Sequence, residues 1–326
     1  MTRRRLIILT LAVVALLATA AGAWHLLARR LETQVSLWAD ARRAEGFELS
    51  WSDHGVGGFP FRFRLDFSDA RIARQDWVAT APRLSAALRP WRPDSIDLLA
   101  PRLDAGGPGR MGVSLDTVSG KLTLAGGRIT ALVLDSGAVI ARGGGEEAGR
   151  AASAHLLLDR FAPDVDWHSE SLGGQVRLVQ VMPARRFAGQ ALFDRPFDLS
   201  LTGAVKGPVH DLVRWRDGGG TLDLTALALD WGPLHLDGNA TLALDGQMRP
   251  LGAGTTRLRG LEPTMDQLAA RGLVKPNDAS TAKVVLGMLA RPAAEGGTEV
   301  TVPITAQDGR LFLGPVPILT LPRLAN

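Results

Sequence analysis

The chain has 326 residues with 37 basic and 33 acidic side chains, and all of the basic ones except Lys121, Lys206, Lys275 and Lys283 are arginine. It has no cysteine, which excludes a disulfide framework, thiolate metal sites and a cysteine nucleophile. A formal net charge of +4 with no concentrated basic stripe argues against nucleic-acid binding.

Arg3, Arg4 and Arg5 precede an uncharged run from Leu6 to Ala28. As a helix this run would span about 34 Å, against a hydrocarbon core of about 30 Å. Residues 1–28 therefore read as a cytoplasmic tip and transmembrane anchor, with the bulk of the chain sent into the periplasm of a bacterial inner membrane. The rival is a cleaved signal peptide, because Ala21-Gly22-Ala23 fits the small-x-small pattern before Trp24 and would release the chain to the periplasm. Over residues 29–46 the pattern becomes amphipathic. Leu27, Leu31, Val35 and Trp38 recur at helical spacing, and Gly46 supplies the stop, which makes this stretch a stalk helix.

Residues 47–326 read as one β-rich domain. Phe59, Phe61, Phe63, Leu65 and Phe67 alternate with Pro60, Arg62, Arg64 and Asp66, the period of a strand with one apolar face. Gly55-Val56-Gly57-Gly58 before it is a hairpin turn rather than a phosphate loop, since no helix follows to receive an anion. Short alternating runs then succeed one another: 96–103, 113–118, 121–124, 129–134, 176–181 and 197–205. Glycine-rich turns separate them at spacings near ten residues, which predicts a meandering antiparallel sheet. A recurring tetrad, Leu227-Ala-Leu229-Asp230, Leu234-His-Leu236-Asp237 and Leu242-Ala-Leu244-Asp245, places an aspartate after two leucines, where it can start a turn. Helices are expected over 209–216, closed by Gly218, then from a capping box at Thr264-Met-Asp-Gln267 to Arg271, and over 278–290.

No catalytic or metal signature is present, so the expectation is a protein without catalytic residues, cofactor or metal. The six histidines form no ligand pair, and Asp53-His54 and Asp166-Trp167-His168 are the best local acid/base candidates. Trp24 and Trp38 flank the membrane region, where indole suits an interface.

The stretches Trp51…Gly57-Gly58-Phe59-Pro60-Phe61-Arg62, Trp77-x-Ala-x-Ala-Pro82 and Leu229-Asp-Trp231-Gly232 resemble the bacterial domain-of-unknown-function 2125 family, found chiefly in alphaproteobacteria. Asp308-Gly309-Arg-Leu-Phe-Leu313-Gly314-Pro315 is similar to the closing strands of AsmA-like envelope proteins. The resemblance implies a membrane-anchored, elongated, curved antiparallel sheet with a few covering helices, and a part in lipid carriage or outer-membrane assembly. It carries over no catalytic residue. Two roles follow as expectations. In one, the apolar face including Phe59, Phe61, Phe63, Leu65 and Phe67 lines a groove for phospholipid or another lipid. In the other, the face is a filled core and the sheet edge recruits an envelope protein by strand addition.

Overall fold

The computed structural model describes residues 3–74, 77–107, 112–126, 128–143, 146–161, 171–184, 195–207, 212–272, 275, 280, 283–284, 287–293, 297–321 and 323–324. One long helix, α1 (Arg3–Ala44), leads into a single sheet. Its first strands are β1 (Glu48–Ser50), β2 (Asp53–Gly57), β3 (Phe63–Arg74), β4 (Trp77–Arg89), β5 (Arg92–Gly106) and β6 (Gly112–Ala125). Next come β7 (Arg128–Ser136), β8 (Val139–Gly143), β9 (Glu146–Ala151), β10 (Ser153–Phe161), β11 (Ser171–Pro183) and β12 (Phe197–Lys206). After a short helix, α2 (Leu212–Asp217), follow β13 (Thr221–Trp231), β14 (Leu234–Leu244) and β15 (Pro250–Arg259). Helix α3 (Leu261–Ala270) precedes β16 (Arg291–Pro292), β17 (Thr298–Gln307), β18 (Arg310–Leu313) and β19 (Val316–Thr320).

Every described pairing is antiparallel, and almost all join neighbours in sequence. β7 and β8 together lie alongside β6, and β9 and β10 together lie alongside β11, so each pair acts as one interrupted strand. Among the described residues β19 pairs only with β18, and β1 and β2 pair only with β3, so the sheet is open.

Cross-strand partners in an antiparallel sheet share a face, so the register shows what each face carries. One transverse row runs Leu65, Ala86, Leu98, Gly120, Leu134, Leu156, Val176, Leu201, Leu227, Gly238, Thr256 and Val302. The row beside it, on the opposite face, runs Asp66, Ser85, Leu99, Ser119, Asp135, His155, Arg177, Ser200, Ala228, Asp237, Arg257 and Thr301. The first row holds no charged residue and the second is largely polar.

Two devices mark the apolar side of this sheet. Glycines on that side allow close approach: a Cβ at Gly174, Gly203, Gly252 or Gly254 would run into a carbonyl oxygen of the adjacent strand, so only glycine fits there. The second device is a crease across the first half of the sheet. Asp69 (φ 51) sits opposite Pro82, Pro101 opposite Thr117 (φ 53), and Gln180 (φ 53) opposite Ala152, with the break between β7 and β8 aligned with them. At the crease the side-chain alternation skips one residue in every strand at once, so no register shift follows and the apolar face continues past it. Leu115 and Val118, three apart in β6, pack in one cluster with Ala81 and Ala100 for this reason. Small side chains occupy the inside of the crease: Ala81 and Ala100 are buried.

Sequence reading and structure differ at several points. The strand expected from Phe59 begins only at Phe63, because the chain from Phe59 to Arg62 forms a turn closed by Arg62 N–H donating to Gly58 O. α1 passes Ala28 without interruption, and Trp24 and Ala28, assigned to the anchor by composition, are buried against the sheet. Of the expected stalk stripe, Leu27 and Trp38 are exposed, and the packed positions are Trp24, Ala28, Leu31, Val35 and Ala39. Among the described residues no helical segment is both long and apolar enough to cross a membrane. α3 starts three residues before the expected capping box; its N-cap is Gly260 (φ 72), and Thr264 Oγ1 donates back to Gly260 O within the helix. α2 ends at Asp217 before Gly218, as its turn signal predicts. Of the expected helix over 278–290, residues 280, 283–284 and 287–289 are helical, and 278–279, 281–282 and 285–286 lie outside the described residues.

Candidate functional site

The apolar face is the feature that demands a functional account, because little of the described chain covers it. Folded monomers of 34.7 kDa expose about 13,000 Å² by the usual mass scaling. This chain exposes 20,076 Å². A single-layer sheet explains the excess, since one face of such a sheet must meet water unless something else lies on it.

Helices close the two ends. At the first, Trp24 stacks on Phe63 with ring centroids 5.5 Å apart and 11° between planes, and Ala28, Leu31, Val56 and Leu88 complete the cluster. Trp24 Nε1 donates to Arg62 O at 3.3 Å. Farther along α1, Arg43 lies over the Trp51 ring and donates to Leu49 O, and Arg74 lies over Phe47. At the other end Trp215 of α2 is buried with Leu244 and Met248 against Val205 and Leu222, and its Nε1 donates to Lys206 O at 2.6 Å. α3 rests against β14. Between these caps, from β5 to β11, no described helix packs on the apolar face, and Leu98, Leu134, Leu156 and Val176 are only half-buried. The result is an uncharged face that the described helices leave open in its middle.

The five expected lining residues divide. Phe63, Leu65 and Phe67 do face the apolar side, but Phe63 lies under Trp24, and Phe67 packs edge-on to Trp51 and stacks with His54. They form the platform for α1 rather than open lining. Phe59 and Phe61 lie off the strand in the preceding turn, 50% and 71% exposed. The open lining comes from leucines and valines of β5 to β12, which alternate in sequence like any half-buried strand and carry no mark to separate covered from uncovered.

The polar face collects the ionisable groups. Ser114, Asp104, Arg102 and Arg142 bridge β5, β6 and β8 beside a hollow of about 220 Å³. Ser114 Oγ donates to Asp104 at 2.5 Å and accepts from Arg142 at 2.6 Å, and Arg102 grips the same carboxylate with two nitrogens. The Arg102 hydrogen bonds, outweighing desolvation, hold the Asp104 carboxyl below its ordinary range. His155 meets Asp135 at 2.7 Å and His235 meets Asp230 at 2.5 Å, both on exposed surface. These histidine–aspartate pairs are invisible in sequence because strand pairing alone unites them. His54 is in contact with Trp51 rather than poised beside Asp53 as an acid/base pair; Asp166 and His168 lie outside the described residues. Among the tetrad aspartates, Asp245 makes the expected turn, accepting from the backbone N–H of Gln247 and Arg249, whereas Asp237 pairs with Arg259 within the sheet. Among the described residues no group of three His, Asp or Glu could hold a metal ion.

The family model for an uncharacterized protein conserved in bacteria (DUF2125) matches residues 24–322. The chain belongs to this family. The match begins at Trp24, the residue that seals α1 onto the sheet. No curated protein and no solved structure matches the chain.

Proposed function

We propose that this DUF2125 member is a non-catalytic envelope protein, held in the bacterial inner membrane by the start of α1, whose periplasmic trough binds the acyl chains of lipid. The observation that carries this reading is the uncharged concave row from Leu98 to Leu201, left half-exposed between two helical caps. Each methylene buried there would contribute about 0.8 kcal/mol, so a fatty chain supplies affinity without any directed contact. Because the floor bears no charge, a headgroup stays at the trough's rim, where arginines can meet phosphate. This open, helix-capped arrangement also supports the AsmA-like likeness and an alphaproteobacterial envelope role. Since Trp24 and Ala28 belong to the domain, the anchor runs from Leu6 to Ala23, a helix of about 27 Å. The competing role, a structural module recruiting an envelope protein by strand addition, draws support from the unpaired outer edges of β1, β2 and β19.

Face parity gives a sharp test. Full-length protein, purified from membranes and incubated with radiolabelled phospholipid, is expected to retain lipid stoichiometrically on gel filtration. Leu201→Asp, on the floor, should abolish retention, and Ser200→Asp, one residue away on the polar face, should preserve it. Equal behaviour of the two variants, or no retained lipid in the parent, would refute lipid binding in the trough.

A further inference from the structure

The edge of the sheet from which α1 emerges has a surface unlike the rest of the polar exterior. α1 runs along the concave face in one direction. Trp24 meets Phe59 and Phe63 at the start of β3, and twenty residues later its last turn meets β1 beside Phe47 and Trp77, at the far ends of β3 and β4. Residues before Trp24 therefore leave the domain past the Phe63 end of the sheet. Two segments crowd that exit. The turn before β3 carries Phe59, Phe61 and Arg62, and touches Trp24 through Phe59 and the Arg62 carbonyl. The β4–β5 hairpin tip carries Arg89, Trp91 and Arg92, and continues directly from Leu88, which pairs with Phe63. Phe59, Phe61 and Trp91 are 50%, 71% and 61% exposed. The three arginines are exposed as well. The nearby carboxylates do not cancel them: Asp66 is held by Arg64 and Ser85, leaving Asp94 on the hairpin.

Large aromatic side chains exposed beside cations are costly in water and favourable at the boundary between headgroups and acyl chains, where indole and phenyl rings enter and guanidinium meets phosphate. We infer that this edge, through Phe59, Phe61, Trp91, Arg62, Arg89 and Arg92, is a docking surface for the headgroup layer of an anionic phospholipid bilayer. The inference rests on the membrane anchorage proposed above and adds the orientation of the domain: the sheet stands with its Phe63–Leu88 edge on the bilayer, and the opposite edge, with the Trp231–Leu234 turn, faces away. The occupant is a bilayer rather than a protein because the uncharged start of α1 leads out from this patch, and the patch is net positive.

The natural absence of cysteine permits a direct test. Trp91→Cys and, separately, Phe61→Cys in the full chain are labelled with an environment-sensitive nitrobenzoxadiazole probe, with Thr298→Cys at the opposite edge as the reference. Each protein is reconstituted with vesicles of phosphatidylcholine alone or of equimolar phosphatidylcholine and phosphatidylglycerol, and flotation reports attachment independently of the probe. Expected is a several-fold rise and blue shift of emission at 91 and 61 in the phosphatidylglycerol vesicles, none at 298, and loss of the rise when Arg62, Arg89 and Arg92 are replaced together by Glu. Protein that floats while probes at 91 and 61 stay aqueous overturns the docking surface, leaves the anchor standing and returns the patch to a protein partner. Protein that does not float overturns both readings. A rise unaffected by the arginine replacements, or equal in both vesicle types, overturns recognition of anionic lipid.

Discussion

Trp24 shows how much a single side chain decides here. Composition places it in an apolar run that looks uniform from Leu6 to Ala28, yet its ring stacks on Phe63 and its indole N–H donates to Arg62 O, which assigns the end of the run to the β-rich domain. On the opposite face, Asp104 ties β5, β6 and β8 together through Arg102, Ser114 and Arg142. Its folded-state pKa lies below that of an ordinary aspartate, chiefly because of the Arg102 hydrogen bonds. A depressed carboxyl stabilises the fold above its unfolded pKa, and that contribution disappears as pH falls through the ordinary carboxylate range toward the folded value. Asp104→Asn should therefore lower the urea midpoint at about pH 7 and lose less than the parent on acidification to about pH 3. A parent and variant with parallel pH profiles would show that the Arg102 contact contributes nothing to stability.

Among the elements, strand existence was legible and strand ends were not. The runs 96–103, 129–134 and 197–205 all fall inside strands, because alternation is a local property of a half-buried sheet. Residues 113–118 and 121–124 read as two strands and form one, β6, since Thr117 bends the chain without ending the pairing. The alternation through Phe59 and Phe61 misled because a turn closed by Arg62 N–H on Gly58 O carries apolar residues at period two and leaves them exposed. Glycine acts differently from a turn signal in the second half of the sheet. Gly254→Ala places a Cβ against Asn239 O, a backbone atom that cannot step aside. We expect a loss of about 1–3 kcal/mol in urea unfolding from overpacking. Gly246→Ala, with open space around it, should change stability by less than about 0.5 kcal/mol. Equal effects would mean that the sheet relaxes freely and that the glycines do not set its curvature.

For the molecule as a whole, a single-layer sheet has a consequence in solution. A compact domain of this length has a radius of gyration of about 20 Å. The exposed area of 20,076 Å² requires a more extended form. Small-angle neutron scattering of the full chain, with detergent contrast-matched, should give a radius clearly above that figure, and a value at the compact figure would mean that the sheet closes on itself in solution. Stability of such a layer comes mostly from neighbouring hairpins, with three small clusters in place of one core among the described residues. Most contacts are therefore between strands adjacent in sequence, and a residue's surroundings are set largely within its own and the next hairpin.

That locality explains what the amino-acid sequence could determine by itself. Side-chain alternation and turn residues act over a few positions, so they define the antiparallel meander, its two unlike faces and the family to which the chain belongs. The crease and the covering of one face depend on which residues become neighbours across many strands. Only the folded chain could place Thr117 in line with Pro101, lay Trp24 over Phe63, and leave Leu98 to Leu201 without a helix among the described residues, because an apolar strand residue has the same local pattern whether or not anything comes to lie upon it.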